Sequence, residues 1–258
     1  MAFVSVVMPA YNAEKTVGEA IESVLNQTYT DYELIIVNDC SKDRTAEILD
    51  GFLKIDKRIK VFHNEKNLGV SATRNYAVSK AGGEWIAFLD SDDAWRVDKL
   101  EKQLEIINAN PDAVLSYTAS SFIFADGRAS KYVMEAEEKT NYRTLLKRNL
   151  VSCSSVMVKS NVMKSIKMPN DAMHEDYYVW LTILKKHKYA YGVNEPLLIY
   201  RLSENSKSSN RIKSAKMLFN SYRAVGYRKI RAFLLVIAYS YHSITKRHKI
   251  KKHQEKKA

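Results

Sequence analysis

Asp90, Asp92 and Asp93 stand within four residues, in the segment Phe88-Leu89-Asp90-Ser91-Asp92-Asp93. Carboxylates this close repel one another: at 4 Å and an effective dielectric of 20, each pair costs about 4 kcal/mol. A divalent cation relieves that repulsion. A site with few carboxylates, leaving room for substrate phosphates, suits Mg2+ or its relative Mn2+. The plainer alternative is a solvated turn in which Asp93 caps a following helix. Asp39, within Asn38-Asp39-Cys40-Ser41, poses a similar choice. Ser41 or Asp43 suffices as the cap of a helix there, which leaves Asp39 over as an acceptor for an N–H donor such as a nucleobase. A further acidic pair, Glu175-Asp176, opens an amphipathic segment running to Lys186. Acids are favourable at a helix N-terminus, where they oppose the helix dipole.

Side chains like these need elements to hold them. Phe3–Pro9, Glu33–Val37, Ile59–Phe62 and Glu84–Leu89 are short apolar runs that read as buried strands. Between them lie helical patterns: one capped by Asn12 with Val17, Ile21, Val24 and Leu25 on its apolar face, one opened by Ser41 or Asp43, and one over Ser71–Lys80. A fourth helix is expected over Arg96–Asn108, stopped before Pro111. Strands this apolar are best buried on both faces by helices, so the fold class is α/β with a largely parallel sheet. Ligands bind beyond the carboxyl ends of strands in such sheets, which is where Pro9–Glu14, Asn38-Asp39 and Asp90–Asp93 fall. Past Asp112 the pattern loosens into extended stretches over Ala113–Phe124 and Tyr189–Arg201, a turn at Asp126-Gly127 and a helix over Glu175–Lys186.

Several chemistries drop out. The first strand-to-helix turn, Met8-Pro9-Ala10-Tyr11-Asn12, lacks the glycines a dinucleotide fold requires, and no phosphate-binding Walker sequence is present. The six histidines show no zinc-ligand spacing, and there is no serine-hydrolase elbow. Two cysteines, Cys40 and Cys153, exclude a disulfide scaffold and fit a reducing compartment. The N-terminus has no basic region followed by a long apolar stretch, so no signal peptide is expected.

The chain of 258 residues carries a net charge of +12. That invites a nucleic-acid reading, but the charge is unevenly placed. Residues 211–258 hold 14 basic residues and one acid, Glu255, a net of +13. Residues 1–210 hold 27 basic and 28 acidic residues, a net of −1. A nucleic-acid-binding protein spreads basic residues over its body, so no nucleic-acid partner is expected. Residues 232–245 contain no Lys, Arg, Asp or Glu, but at 14 residues fall short of the about 20 that span a bilayer. With basic residues on both sides, this stretch reads as a helix lying on an anionic membrane surface or, alternatively, packed on the body.

These motifs, in order and at fitting intervals, resemble glycosyltransferase family 2, whose members have the GT-A fold. Val4–Glu14 is similar to that family's first strand and donor loop, and Ser23–Tyr29 to the end of its first helix. ELIIVNDCSKDRT (residues 33–45) is similar to its nucleotide-base segment. Asn67-Leu68-Gly69-Val70-Ser71-Ala72-Thr73-Arg74-Asn75 matches its N-x-G-x-x-x-x-R-N stretch, and Asp90-Ser91-Asp92 its D-x-D element. His174-Glu175-Asp176 resembles its E-D element, and Tyr200–Ser206 a later segment in which a histidine often stands at the position of Ser203. The resemblance covers residues 3–205 and implies a catalytic domain over 1–210, with a nucleotide-sugar half (1–111) and an acceptor half (112–210), followed by the basic helical tail 211–258.

The resemblance implies roles as well. Pro9, Ala10, Tyr11 and Glu14 would line the nucleotide pocket, and Asp39 would accept from the uracil N3–H. Arg74 would sit near the diphosphate or brace the acidic cluster. Asp90 would face the ribose, Ser91 would belong to the nucleotide-sugar site, and Asp92 would hold the Mn2+ or Mg2+ through which the diphosphate is bound. Asp176 would be the catalytic base with Glu175 as its neighbour, and Arg201 would neutralise phosphate or brace the lobe. The implied reaction is inverting transfer of a hexosyl or N-acetylhexosaminyl unit from a UDP-sugar to a glycan or lipid-linked hydroxyl, as in surface polysaccharide synthesis. Its place would be the cytoplasm, peripheral on the inner face of the cell membrane. A nucleotidyltransferase acting on sugar phosphates is the nearest enzymatic alternative, but it usually has a glycine-rich basic loop after its first strand.

Overall fold

The computed structural model describes residues 3–170, 172–202 and 211–252. The elements of the first half are β1 (Val4–Ala10), α1 (Val17–Leu25), β2 (Tyr32–Asn38), α2 (Thr45–Leu53), β3 (Ile59–His63), α3 (Val70–Lys80), β4 (Trp85–Phe88), β5 (Ala94–Trp95) and α4 (Lys99–Ala109). Then come β6 (Leu115–Phe124), β7 (Ala129–Met134), β8 (Lys139–Thr140) and α5 (Tyr142–Lys147). A 3-10 turn at Cys153–Ser155, β9 (Met157–Lys159), α6 (Ser160–Lys164), α7 (Glu175–Lys186) and β10 (Ala190–Leu202) lead to α8 (Arg211–Ala224) and α9 (Lys229–Lys252).

The strands form one sheet in the order β3-β2-β1-β4-β9-β6-β10-β5, with β7 on β6 and β8 on β10. The first four strands are mutually parallel. Beyond them the sheet is mixed: β9 runs antiparallel to β4 and β6, whereas β10 is parallel to β6. The apolar runs behave as buried strands should. Every residue of β1 and β2 is buried. Successive side chains point to opposite faces of a strand. Val4, Val6 and Met8 accordingly join one core cluster, with Leu34, Ile36 and residues of α1 and α4. Val7 joins the other, with Ile35, Val37, Phe88 and residues of α3 and α7.

The helix starts differ from the sequence reading. Asn12 does not cap α1, which begins at Val17 after Thr16, and α2 begins after Arg44. Nor does Asp93 cap a helix, since β5 follows it and α4 starts only at Lys99. In both places, hydrogen bonds to distant parts of the chain hold the intervening loop.

At the opposite end of the sheet, Gly83 fits against β1. A methyl group there would meet the Ser5 nitrogen at 2.6 Å and the Val4 carbonyl carbon at 2.9 Å. Its N–H donates to Ser5 Oγ, which in turn donates to Glu33 Oε1. Gly83→Ala is therefore expected to lower stability by about 1–3 kcal/mol through overpacking, checked by urea denaturation; an unchanged midpoint would refute it.

Candidate active site

The sheet order brings the ends of β1, β2 and β4 side by side, so the three loops that follow them lie next to one another. The loop after β1 is stitched to the loop after β2. Asn12 N–H donates to Ser41 Oγ at 3.0 Å, Ala13 N–H to Thr45 Oγ1 at 2.8 Å, and Glu14 N–H to Asp43 Oδ2 at 3.1 Å. In return Lys42 N–H donates to Asn12 Oδ1 and Arg44 N–H to Glu14 Oε2. Asn12 and Cys40 make the sharp bends with positive φ of 48° and 60°. Asn tolerates that region because its short side chain bonds locally, whereas Cys is held there by its surroundings.

This stitching alters the expected roles. Pro9 and Ala10 lie inside fully buried β1, whereas Tyr11 and Glu14 are exposed, Glu14 being engaged by the second loop. Asp39 is buried and already serves the protein. Its Oδ1 accepts from Asn64 Nδ2 and Leu68 N–H, each at 2.8 Å, and its Oδ2 accepts from Gly69 N–H at 2.9 Å. Gly69, with φ of 83°, turns the chain so that these amides at the head of α3 face the carboxylate. An anion is favourable there because helix N-terminal amides lack internal partners. Oδ2 takes a single donor and is the oxygen left for a further N–H.

The acidic cluster sits after β4. The Asp90 N–H donates to Ser154 Oγ, and the Asp90 carboxylate receives Arg74 Nη2. Ser91 and Asp92 are half-buried. Burial first, and the Asp90 charge second, push the Asp92 carboxyl up to about 6, against the opposing pull of Arg201 and Arg74. Asp93 is buried, and its Oδ1 accepts from Arg201 N–H at 2.9 Å. Burial, then Asp92 and Asp90, raise its carboxyl well above the ordinary range. The turn thus carries more negative charge than nearby cations offset.

Arg74, buried on α3, joins the loop after β4 to the head of α7. One guanidinium nitrogen donates to Asp90 and another to Glu175 Oε1 at 3.0 Å. Burial alone would lower its pKa, but Asp90, Cys153 and Glu175 hold it well above the usual value. Of its two expected places, Arg74 takes the bracing one. Arg201 does the same: Nε donates to the Asp92 carbonyl at 3.0 Å and Nη2 to Glu19 at 2.6 Å.

Glu175 and Asp176 form the first turn of α7. Glu175 is buried on Arg74, and Asp176 is half-buried with Oδ1 accepting from Tyr177 N–H at 2.7 Å. Burial first and Glu175 second raise the Asp176 carboxyl, while Arg74 and His174 oppose the shift. Half-buried Tyr200 lies beside the cluster: burial of its hydroxyl first, and then the charges of Asp93, Asp92, Asp90 and Asp176, raise its pKa. Ser203, where the resembled family often has a histidine, lies outside the described residues.

Sequence reasoning missed the Cys153–Ser155 turn under this cluster. Ser154 takes the Asp90 N–H on its hydroxyl and Trp95 Nε1 on its carbonyl at 2.7 Å. Ser155 O takes Gln103 Nε2, and Gln103 Oε1 receives the buried Lys99 ammonium, which lies 3.8 Å from the Trp95 ring centroid. The polar positions Lys99 and Gln103 on an otherwise apolar helix face were the available signal.

Among the described residues, no group of three or more His, Cys, Asp or Glu is arranged to hold a metal by itself. Asp92, in an over-negative turn, would offer a divalent cation one carboxylate, and few protein carboxylates together with substrate oxygens are a set that suits Mg2+.

Residues 5–163 match the sequence profile described as Glycosyl transferase family 2. TuaG of Bacillus subtilis (strain 168), named as a teichuronic acid biosynthesis glycosyltransferase, is 43% identical over 222 residues, covering 86% of this chain and 88% of its own. WfgD of Escherichia coli, a UDP-Glc:alpha-D-GlcNAc-diphosphoundecaprenol beta-1,3-glucosyltransferase, is 38% identical over 216 residues, covering 83% and 82%. Among solved structures, residues 1–349 of S. aureus TarS in complex with UDP-GlcNAc superpose with a TM-score of 0.72 at 20% identity, covering 92% of this chain and 71% of that one.

Proposed function

The chain belongs to glycosyl transferase family 2 and has the GT-A fold, and from that premise we propose inverting transfer of a sugar from a UDP-sugar to a hydroxyl of a lipid-linked or glycan acceptor. It is a glycosyltransferase of surface polysaccharide or lipid-linked sugar synthesis. One observation supports the finer reading: Arg74 ties Asp90 of the turn after β4 to Glu175 at the head of α7, next to Asp176.

In this reading Asp39 Oδ2 accepts the uracil N3–H, and Tyr11 covers the base. Asp92 holds Mn2+ or Mg2+, which when bound offsets charge developing on the leaving diphosphate. Asp90, fixed by Arg74 and Ser154, orients toward the donor. Asp176 takes the acceptor hydroxyl proton as that oxygen attacks the anomeric carbon from the face opposite the diphosphate, which inverts the configuration. Glu175 and Arg74 hold Asp176 in place. The tail (211–258) seats the enzyme on an anionic membrane surface. WfgD is named for a diphosphoundecaprenol-linked acceptor, which supports the lipid-linked class.

The test is nucleotide release from a panel of sugar nucleotides with Mn2+. Release from a UDP-sugar is expected, and no release from any donor would overturn the reading. Asp92→Ala is expected to weaken Mn2+-dependent UDP-sugar binding about tenfold or more, the loss of one charge-assisted ligand. An unchanged calorimetric titration would remove Asp92 from the metal site.

A further inference from the structure

α9 is apolar on two opposite faces. Ala232 belongs to the core, and Leu235, Val236 and Tyr239 pack against it. The Tyr239 ring meets Tyr177 edge-on at 5.6 Å, one residue past Asp176. Ile230, Phe233, Leu234, Ile237 and Tyr241 are instead 54–80% exposed. At about 100° per residue, these five fall within an arc of about 100°, centred roughly opposite the packed face. The two alternatives for the tail are therefore compatible: one face is packed on the body and the other is free to meet a partner.

We infer that this stripe is the surface by which the enzyme seats on an anionic lipid bilayer, with α9 lying in the interface. Two observations favour that occupant. Arg228, Lys229 and Arg231 are exposed at the start of the stripe, and Lys246, Arg247, Lys249, Lys251 and Lys252 follow it in sequence. Lipid phosphates attract such cations, whereas a second copy of the chain would set like charges against one another. Among the described residues no helix is long and apolar enough to cross a membrane, so α9 lies on the bilayer and does not span it.

The inner face gives the seat a consequence for the site. Tyr177 OH donates to Leu145 O at 2.7 Å and lies 3.2 Å from the Tyr222 hydroxyl of α8, while Ser214 of α8 holds His174 before α7. The bilayer-facing helix is thus packed directly behind the turn that carries Asp176. This deepens the reading of a lipid-linked acceptor and rests on it for the purpose of the seat, not for its existence.

Flotation of the full chain with vesicles of phosphatidylglycerol and phosphatidylethanolamine tests it. The double variant Phe233→Ser/Ile237→Ser is expected to lose tenfold or more in vesicle partition, on the order of two buried apolar side chains. Its melting temperature and its nucleotide release in vesicle-free solution should match the parent. Partition of the parent to pure phosphatidylcholine should also be much weaker. Equal flotation of variant and parent, or equal binding to both lipid mixtures, overturns the inference. So does a parent that is dimeric by light scattering and becomes monomeric in the variant. If flotation differs as expected but neither protein releases nucleotide, the enzymatic reading fails and the membrane surface stands.

Discussion

Asp176→Asn lowers sugar transfer about 1,000-fold while leaving UDP-sugar binding intact; this is the expected result, within the span for loss of a general base. Asparagine preserves the shape and the acceptor from Tyr177 N–H, but it cannot take a proton. The wild-type pH profile should carry the same signature. A base works only when ionised, and burial together with Glu175 raises the Asp176 carboxyl. Activity therefore falls as pH drops through that raised value, and the acid limb lies above the usual aspartate range near about pH 4. kcat/KM against pH for both proteins, with calorimetric donor binding, decides the matter. Wild-type-like turnover in the variant would remove Asp176 from the chemistry.

Arg74→Met is expected to cost about 3–5 kcal/mol, because it leaves Asp90 and Glu175 without their shared counter-charge in a largely dry site. The side chains of Arg74 and Glu175 are 5% and 9% exposed, so solvent replaces little of what is lost. For a chain of this size the melting temperature should drop by about 10 °C. Arg74→Lys keeps the charge but not the two-pronged reach, and should recover only part. Adding Glu175→Gln to Arg74→Met reduces the unpaired charge and should recover stability without activity. A melting temperature for Arg74→Met close to wild type would show that the bridge contributes little.

The strands around the cleft were legible because β1 and β2 are unbroken apolar runs, and Val70–Lys80 and Glu175–Lys186 because their patterns are local. The loops were not. Asn12 looks like a helix cap only if Ser41 and Lys42 are ignored, and its partners lie 29 and 30 residues away. Asp93 looks like a cap only if Arg201, 108 residues later, is ignored. Asp39 stood out by its type and place after β2, yet its three protein donors, Asn64, Leu68 and Gly69, come from a stretch that spacing alone does not bring near it. The acidic residues themselves were visible as types; which of them would share one guanidinium was a property of the sheet order.

The Arg74 bridge also bears on how the chain folds. Its two acidic partners lie 16 and 101 residues downstream. β5, made at residues 94–95, likewise waits for β10, where Trp95 pairs with Leu198. A nascent chain ending near residue 111 therefore holds an arginine with half its counter-charge and a strand with no neighbour. Such long-range closure slows folding and leaves partly formed states exposed during synthesis. Once complete, the parts of the chain before and after residue 111 should melt in a single transition, since neither can keep its own buried charge satisfied without the other.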